Sequence, residues 1–270
     1  MKKYYKLLVA FLSVATIIFV AVSCEKDFRP VTPPAPVPVS PVPTGSFSEG
    51  FDNVSDLTSK GWMFKNNSDP IGEAGWRQGR YEQINLANKK LATGVVTVGF
   101  PAYLATNSPH DFMSCDITSC GNQTGSGNFS AWLISPAVPM KNGDSIIFYT
   151  IANDILVDPT NGIATTDRMQ LRLNRVDGSA NVGSDTSSVG NFTQVVYDSN
   201  PNMAQNASGG HPIVWTKIAR VISGIPGSGS IASGRFAFRY YIHDGGLYGG
   251  STAAIFPSVV GIDQVRFVRK

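Results

Sequence analysis

Apolar and polar positions divide the chain into an apolar head, a proline-rich segment and a long tract of short strands. Alternation is cleanest at residues 168–174, where Met169, Leu171 and Leu173 share a face. It recurs at 235–242, with Phe236, Phe238, Tyr240 and Ile242 inward. Residues 145–151 predict a buried strand, and 130–136 form an apolar run halted by Pro136. Further strands are expected at 46–51, 192–197, 215–222 and 259–268, with turns at Asn142-Gly143-Asp144 and Asp177-Gly178. Residues 53–58 suit one helical turn capped by Asn53 or Ser55. Residues 81–128 are the least regular part, and a glycine-rich loop occupies 244–258. Many short strands without a long amphipathic helix predict an all-β fold, a single β-jelly-roll or β-sandwich over residues 46–270.

The head is a different material. Met1 to Lys6 is basic, and Leu7 to Val22 is apolar except for Ser13 and Thr16. That body is shorter than the ~20 residues a membrane-spanning helix needs, so residues 1–23 read as a secretory signal. With Cys24 at the break, the segment resembles a bacterial lipoprotein signal, although Ala21 stands where leucine is usual. The resemblance implies that Cys24 becomes the lipidated first residue of the mature chain. Glu25-Lys26-Asp27 resembles the acidic tract that sends Bacteroidetes lipoproteins to the cell surface. The expected location is therefore the outer membrane, lipid-anchored and facing outward. Residues 24–45 form the lipid-anchored stalk. Pro30, Pro33, Pro34, Pro36, Pro38, Pro41 and Pro43 exclude helix and ladder and favour an extended polyproline II spacer of ~43 Å.

Charge narrows the partners. The formal net charge is +3, from 22 basic and 19 acidic residues, and the three lysines of the signal carry the excess. A balanced mature chain argues against nucleic acid. The pair Cys115 and Cys120, outside the cytoplasm, is expected to form a disulfide closing a small loop, worth roughly 2 kcal/mol. Two separate thiols are the alternative. No histidine or further cysteine stands at zinc-site spacing from them.

Phe51, Gly61-Trp62, Trp76, residues 130–136, Asp167-Arg168-Met169, Trp215, residues 236–240 and Gly261-Ile262-Asp263 follow one another in a meaningful order. That order resembles the choice-of-anchor J, or cleaved-adhesin, domains of Bacteroidetes. The resemblance covers about residues 47–267 and implies a jelly roll akin to MAM and carbohydrate-binding modules. The chain departs from the family near its end. Gly261 stands where an aromatic is usual, while Gln264 supplies an amide where an acidic or amide residue usually follows.

Candidate chemistry is sparse. Regular alternation would place Asp263 on the same face as Val265 and Phe267, where an unpaired carboxylate costs several kcal/mol. Jelly rolls of the resembled kind often hold a structural calcium between first and last strands, which implies Glu49, Asp52 and Asp263 as ligands, completed by carbonyls and water. A hydrogen-bonded Asp263 near a bulge, without metal, is the alternative. No closely spaced acidic cluster, H-E-x-x-H or G-x-S-x-G motif is present, and His110, His211 and His243 are scattered and read as loop or surface residues. No catalytic residues, and no enzyme, are expected. Sugars stack on exposed aromatic faces, and Trp76, Tyr103, Trp215 and Tyr248 lie in loops or at strand ends where they could serve; Trp62 and Trp132 read as core. The expected role is non-catalytic binding of an extracellular ligand, a glycan above all, as an accessory to an outer-membrane uptake complex. Adhesion to protein or host matrix is the second reading, and a structural subunit of an outer-membrane complex the third.

Overall fold

Strands form where the alternation and the apolar runs occur. A computed structural model describes residues 43–85, 95–121, 126–158, 160–246 and 255–270. Cys24, the signal, most of the stalk and Tyr248 lie outside the described residues. The strands, in order, are β1 (Phe47–Glu49), β2 (Met63–Asn66), β3 (Arg77–Gln78), β4 (Tyr81–Asn85), β5 (Val95–Gly99), β6 (Met113–Asp116), β7 (Gly127–Ile134) and β8 (Val138–Lys141). They continue as β9 (Ser145–Ala152), β10 (Leu156–Asp158), β11 (Ile163–Ala164), β12 (Met169–Asn174), β13 (Gln194–Asp198), β14 (Thr216–Val221), β15 (Ser230–Gly245) and β16 (Val259–Val268). Helix is confined to single 3-10 turns among the described residues. One of them, Val54–Asp56, is capped by Asn53, whose side chain accepts the Ser55 N–H.

Twelve of these strands build two antiparallel sheets facing each other, while β4 with β5 and β10 with β11 form separate two-stranded ribbons. The first runs β14-β9-β16-β6-β3, with β1 paired to β16; the second runs β13-β12-β15-β7-β2, with β8 paired to β15. Met169, Leu171 and Leu173 of β12 meet Phe236, Phe238, Tyr240 and Ile242 of β15 on the inner face of the second sheet. Opposite them lie Ile146 and Phe148 of β9 and Val260, Ile262, Val265 and Phe267 of β16. Phe47, Trp62, Phe236 and Phe267 make a ring cluster with centroids 5.9–6.5 Å apart. Aromatic pairs at that spacing contribute beyond their buried area. The architecture is thus an all-β sandwich of jelly-roll type.

Asp167 locks one end of the sandwich. Its fully buried carboxylate accepts the Tyr240 hydroxyl at 2.6 Å, the Asn206 side-chain amide at 2.8 Å, the Ser258 N–H at 2.9 Å and the Ser258 hydroxyl. Burial pushes its pKa up, while these donors hold it down.

Three expectations change here. Cys115 and Cys120 are both fully buried in the main core and are not joined by a disulfide; they serve as small apolar side chains. Strand β13 starts at Gln194, because Phe192 turns away to pack on Trp132, at 5.9 Å between centroids. Within the irregular stretch lies β6, whose four residues are all buried.

Candidate functional site

Each sheet has an outer face, and the two are used differently. On the second sheet, Trp132, Ile134, Ala237, Val182 and Phe192 form a separate apolar cluster that brings residues 182 and 192 down onto the strands. Arg239 is buried there between rings, 4.8 Å from the centroid of Trp132 and 3.8 Å from that of Tyr241. Its guanidinium donates to Ser130 Oγ and to the Thr186 carbonyl. Burial lowers its pKa to about 9. Most of that face is therefore closed by the chain itself.

The outer face of the first sheet is more open. Register aligns Lys217, Tyr149 and Asp263 in one row across β14, β9 and β16, and Ala219, Ile147 and Arg266 in the next. The segment after β5 lies over one end of this face. Phe100, Ala102, Phe112, Ile151 and Val259 cluster beneath it, with Trp215 packed against them. Gly261 makes this possible, since a Cβ there would stand 2.4 Å from the Phe100 ring and 3.1 Å from that of Phe112. Two rings from elsewhere thus fill the space that a side chain before Ile262 would occupy.

Two hydrogen bonds that involve side chains help to fasten the segment. The Trp215 indole N–H donates to the Pro101 carbonyl at 2.9 Å, and the Leu104 N–H donates to Asp263 Oδ2 at 3.2 Å. Tyr103 then lies flat on Tyr149, 3.7 Å between centroids and 16° between planes, and edge-on to Trp215 at 6.2 Å. Tyr103 is 43% exposed and Leu104 54%; Ile213 and Val214 beside Trp215 are exposed as well. The result is a rigid aromatic patch with an aliphatic margin. It is the arrangement that takes up flat, partly apolar ligands by stacking.

The expected residues divide accordingly. Tyr103 and Trp215 come together, joined by Tyr149, although the apolar run of residues 145–151 predicts a buried strand. Its odd-numbered position in β9, facing opposite to core residue Phe148, was the available signal. Trp76 is buried, 5% exposed, and its indole N–H is satisfied by the Ala131 carbonyl at 3.1 Å, so it belongs to the core. Tyr248 lies outside the described residues.

Asp263 sits on the outer face, opposite to Val265 and Phe267. A bulge between Asp263 and Arg266, with Gln264 at φ 49°, inserts one residue and flips the alternation. The carboxylate accepts the Gln264 N–H at 2.6 Å as well as that of Leu104, and burial raises its pKa to about 6. Glu49 is spent elsewhere: it accepts the Phe51 N–H and pairs with Lys60, both at 3.0 Å. Asp52 is exposed. Among the described residues no three His, Cys, Asp or Glu side chains converge, and Glu49, Asp52 and Asp263 are not brought together as one group.

The histidines differ from expectation at one position. His243 is exposed and His110 half-buried, but His211 is fully buried, with Nε2 2.9 Å from Thr150 Oγ1 and Nδ1 2.7 Å from Ser199 Oγ. A second concavity, of about 390 Å³, is lined by Arg77, Arg80, Tyr81, Glu82 and His110. Arg77 and Arg80 both turn to the buried Asp116, so their charge is consumed internally.

The fold and this patch define a β-sandwich that presents an aromatic face on one sheet. No protein-family model and no curated protein matches the chain. Among solved structures it is similar to the K1 cleaved adhesin domain of Lys-gingipain from Porphyromonas gingivalis, at 15% identity and TM-score 0.42, over 83% of this chain and 98% of that one. The K2 domain of Lys-gingipain matches at 12% identity and TM-score 0.42 over the same shares. A family 11 carbohydrate-binding module from Clostridium thermocellum, in complex with a mixed-linked tetrasaccharide, matches at 13% identity and TM-score 0.29, over 84% and 96%.

Proposed function

We propose that this chain is a non-catalytic binding protein of the outer membrane, held by lipid at Cys24 and displayed on the proline-rich stalk. Its ligand is an extracellular glycan, which stacks on the Tyr103 and Trp215 patch. The observation carrying this reading is that patch. Three aromatics from distant parts of the chain meet on an open sheet face, partly exposed and held by hydrogen bonds from Trp215 and to Asp263. A sugar ring gains apolar burial there, while Lys217 and the backbone of the 101–104 segment supply polar contacts. The protein would serve beside a glycan uptake complex.

A glycan array with the wild type and a Tyr103→Ala, Trp215→Ala double variant tests the binding. Wild-type signal lost in the variant is expected; no signal on any glycan, or signal unchanged by the substitutions, refutes the reading. Incorporation of labelled palmitate, lost in Cys24→Ser, tests the anchor. The exposed aliphatic margin of Leu104, Ile213 and Val214 favours a second reading, adhesion to a protein surface. Retention of host-matrix protein by a chain that ignores all glycans would select it.

A further inference from the structure

The same face carries charge of one sign. Lys217 and Arg266 are both exposed, and neither side chain has a hydrogen-bond or ion-pair partner among the described residues. They stand in adjacent rows on β14 and β16, with β9 between them. Two strand spacings separate them by about 10 Å laterally. The carboxylate in these rows, Asp263, is 0% exposed and committed to the Leu104 and Gln264 N–H groups. Between the cations lie Tyr149 and Ile147, both half-buried. An approaching ligand therefore meets two free cations and no exposed carboxylate within the rows that hold the aromatic patch.

We infer that the ligand of this face is an acidic polysaccharide, one carrying carboxylate or sulfate groups along its chain. The inference rests on the glycan reading above and adds its chemical class. Stacking on Tyr103 and Trp215 supplies sequence-independent affinity for the sugar rings, and Lys217 and Arg266 select for charge. Cations this far apart suit repeated charges along a polymer better than one small anion. Two side chains are too few for nucleic acid, whose binding is built from many phosphate contacts. An acidic protein would use the charges without needing the rings.

The test measures affinity of the full chain for polygalacturonate and alginate, each beside its carboxyl-reduced form, and for chondroitin sulfate beside its desulfated and carboxyl-reduced form, with poly-glutamate as a protein-like polyanion. At least one acidic polymer should bind about tenfold more tightly than its reduced form, the size two exposed ion pairs provide, and the margin should shrink with salt. Lys217→Ala with Arg266→Gln should abolish that margin and leave the residual binding; Trp215→Ala should weaken both forms. Equal binding of acidic and reduced forms, or a margin that survives in the charge variant, overturns the inference while the glycan reading stands. Binding of poly-glutamate as tight as that of the polysaccharides and indifferent to Trp215→Ala overturns it too. Binding of none of the three polymers by a chain that binds neutral glycans on the array overturns the inference alone. Silence on every glycan overturns both.

Discussion

His211 should make this protein acid-labile in a way that one substitution exposes. The Thr150 hydroxyl donates to the Gly261 carbonyl at 2.9 Å, so it accepts from His211 Nε2–H. The Ser199 hydroxyl accepts the Met169 N–H at 2.8 Å and turns its own proton to Nδ1. The neutral Nε2–H tautomer satisfies every group. Protonation would bury a charge and leave the Ser199 hydroxyl proton without an acceptor, and burial accordingly lowers the pKa to about 3. An unfolded histidine titrates near 6.5, so the folded value is depressed. The stability involved is full above about pH 6.5 and is lost as pH falls toward 3, at about 1.4 kcal/mol per pH unit. Asp263 runs the other way. Its folded pKa of about 6 lies above the ordinary value of an aspartate, about 3.9, so its contribution is present at low pH and lost as pH rises through 6. Between about pH 6 and 4 the two nearly cancel, and the wild type should look almost flat there. His211→Gln keeps a donor toward Thr150 and removes the titration. Urea unfolding of both proteins at a series of pH values should give a stability difference that shifts by about 3 kcal/mol in favour of the variant between roughly pH 7 and pH 4. A difference independent of pH across that window would refute the buried neutral imidazole.

Other consequences are open to measurement. Asp167→Ala leaves the donors of Tyr240, Ser258 and Asn206 unpaired in the core and should cost roughly 3 kcal/mol or more by urea unfolding; a loss below about 1 kcal/mol would remove Asp167 as the lock of that end. Gly261→Ala drives a methyl into the Phe100 ring and should destabilise by about 1–3 kcal/mol, with loss of the Tyr103 and Trp215 stacking seen as a change in near-ultraviolet circular dichroism. In a Cys24→Ser chain, Ellman's reagent should react slowly with the folded protein and with both remaining thiols after unfolding, because burial holds the Cys115 thiol well above its usual pKa. Rapid reaction in the native state would contradict the burial of both cysteines.

The legible parts of the fold were those where one rule acts undisturbed. Met169, Leu171 and Leu173, and Phe236, Phe238, Tyr240 and Ile242, point inward as period two requires, because β12 and β15 pair in unbroken register from Met169 to Asn174. The rule failed at Asp263 because register breaks there, and the break is made by Gln264 at positive φ. Glycine or asparagine would have announced such a conformation; glutamine does not. Strand β6, read as Met-Ser-Cys-Asp, has no apolar pattern, and its burial comes from lying between β16 and β3. His211 follows two glycines in a polar stretch, and only the approach of Thr150 and Ser199 turns it into a core residue.

The candidate site shows the same division between local pattern and tertiary placement. That loop aromatics would matter could be argued from composition. Which of them would meet could not, because the meeting depends on how residues 100–104 are laid over β9 and β16. Three separate provisions hold them there: the notch at Gly261, the carboxylate of Asp263 and the indole of Trp215. Each is individually ambiguous in sequence. A glycine in a strand suggests weakness, a buried aspartate suggests a metal, and a tryptophan suggests core. Together they have one physical meaning. The glycine admits Phe100 and Phe112, the aspartate satisfies the Leu104 N–H, and the tryptophan satisfies the Pro101 carbonyl. A segment without a long strand of its own is thereby fixed with its polar backbone paired, and Tyr103 is left standing on Tyr149 at the surface. The energy of that arrangement goes into positioning two aromatic rings that contribute little to the main core, and this is the reason to place binding there.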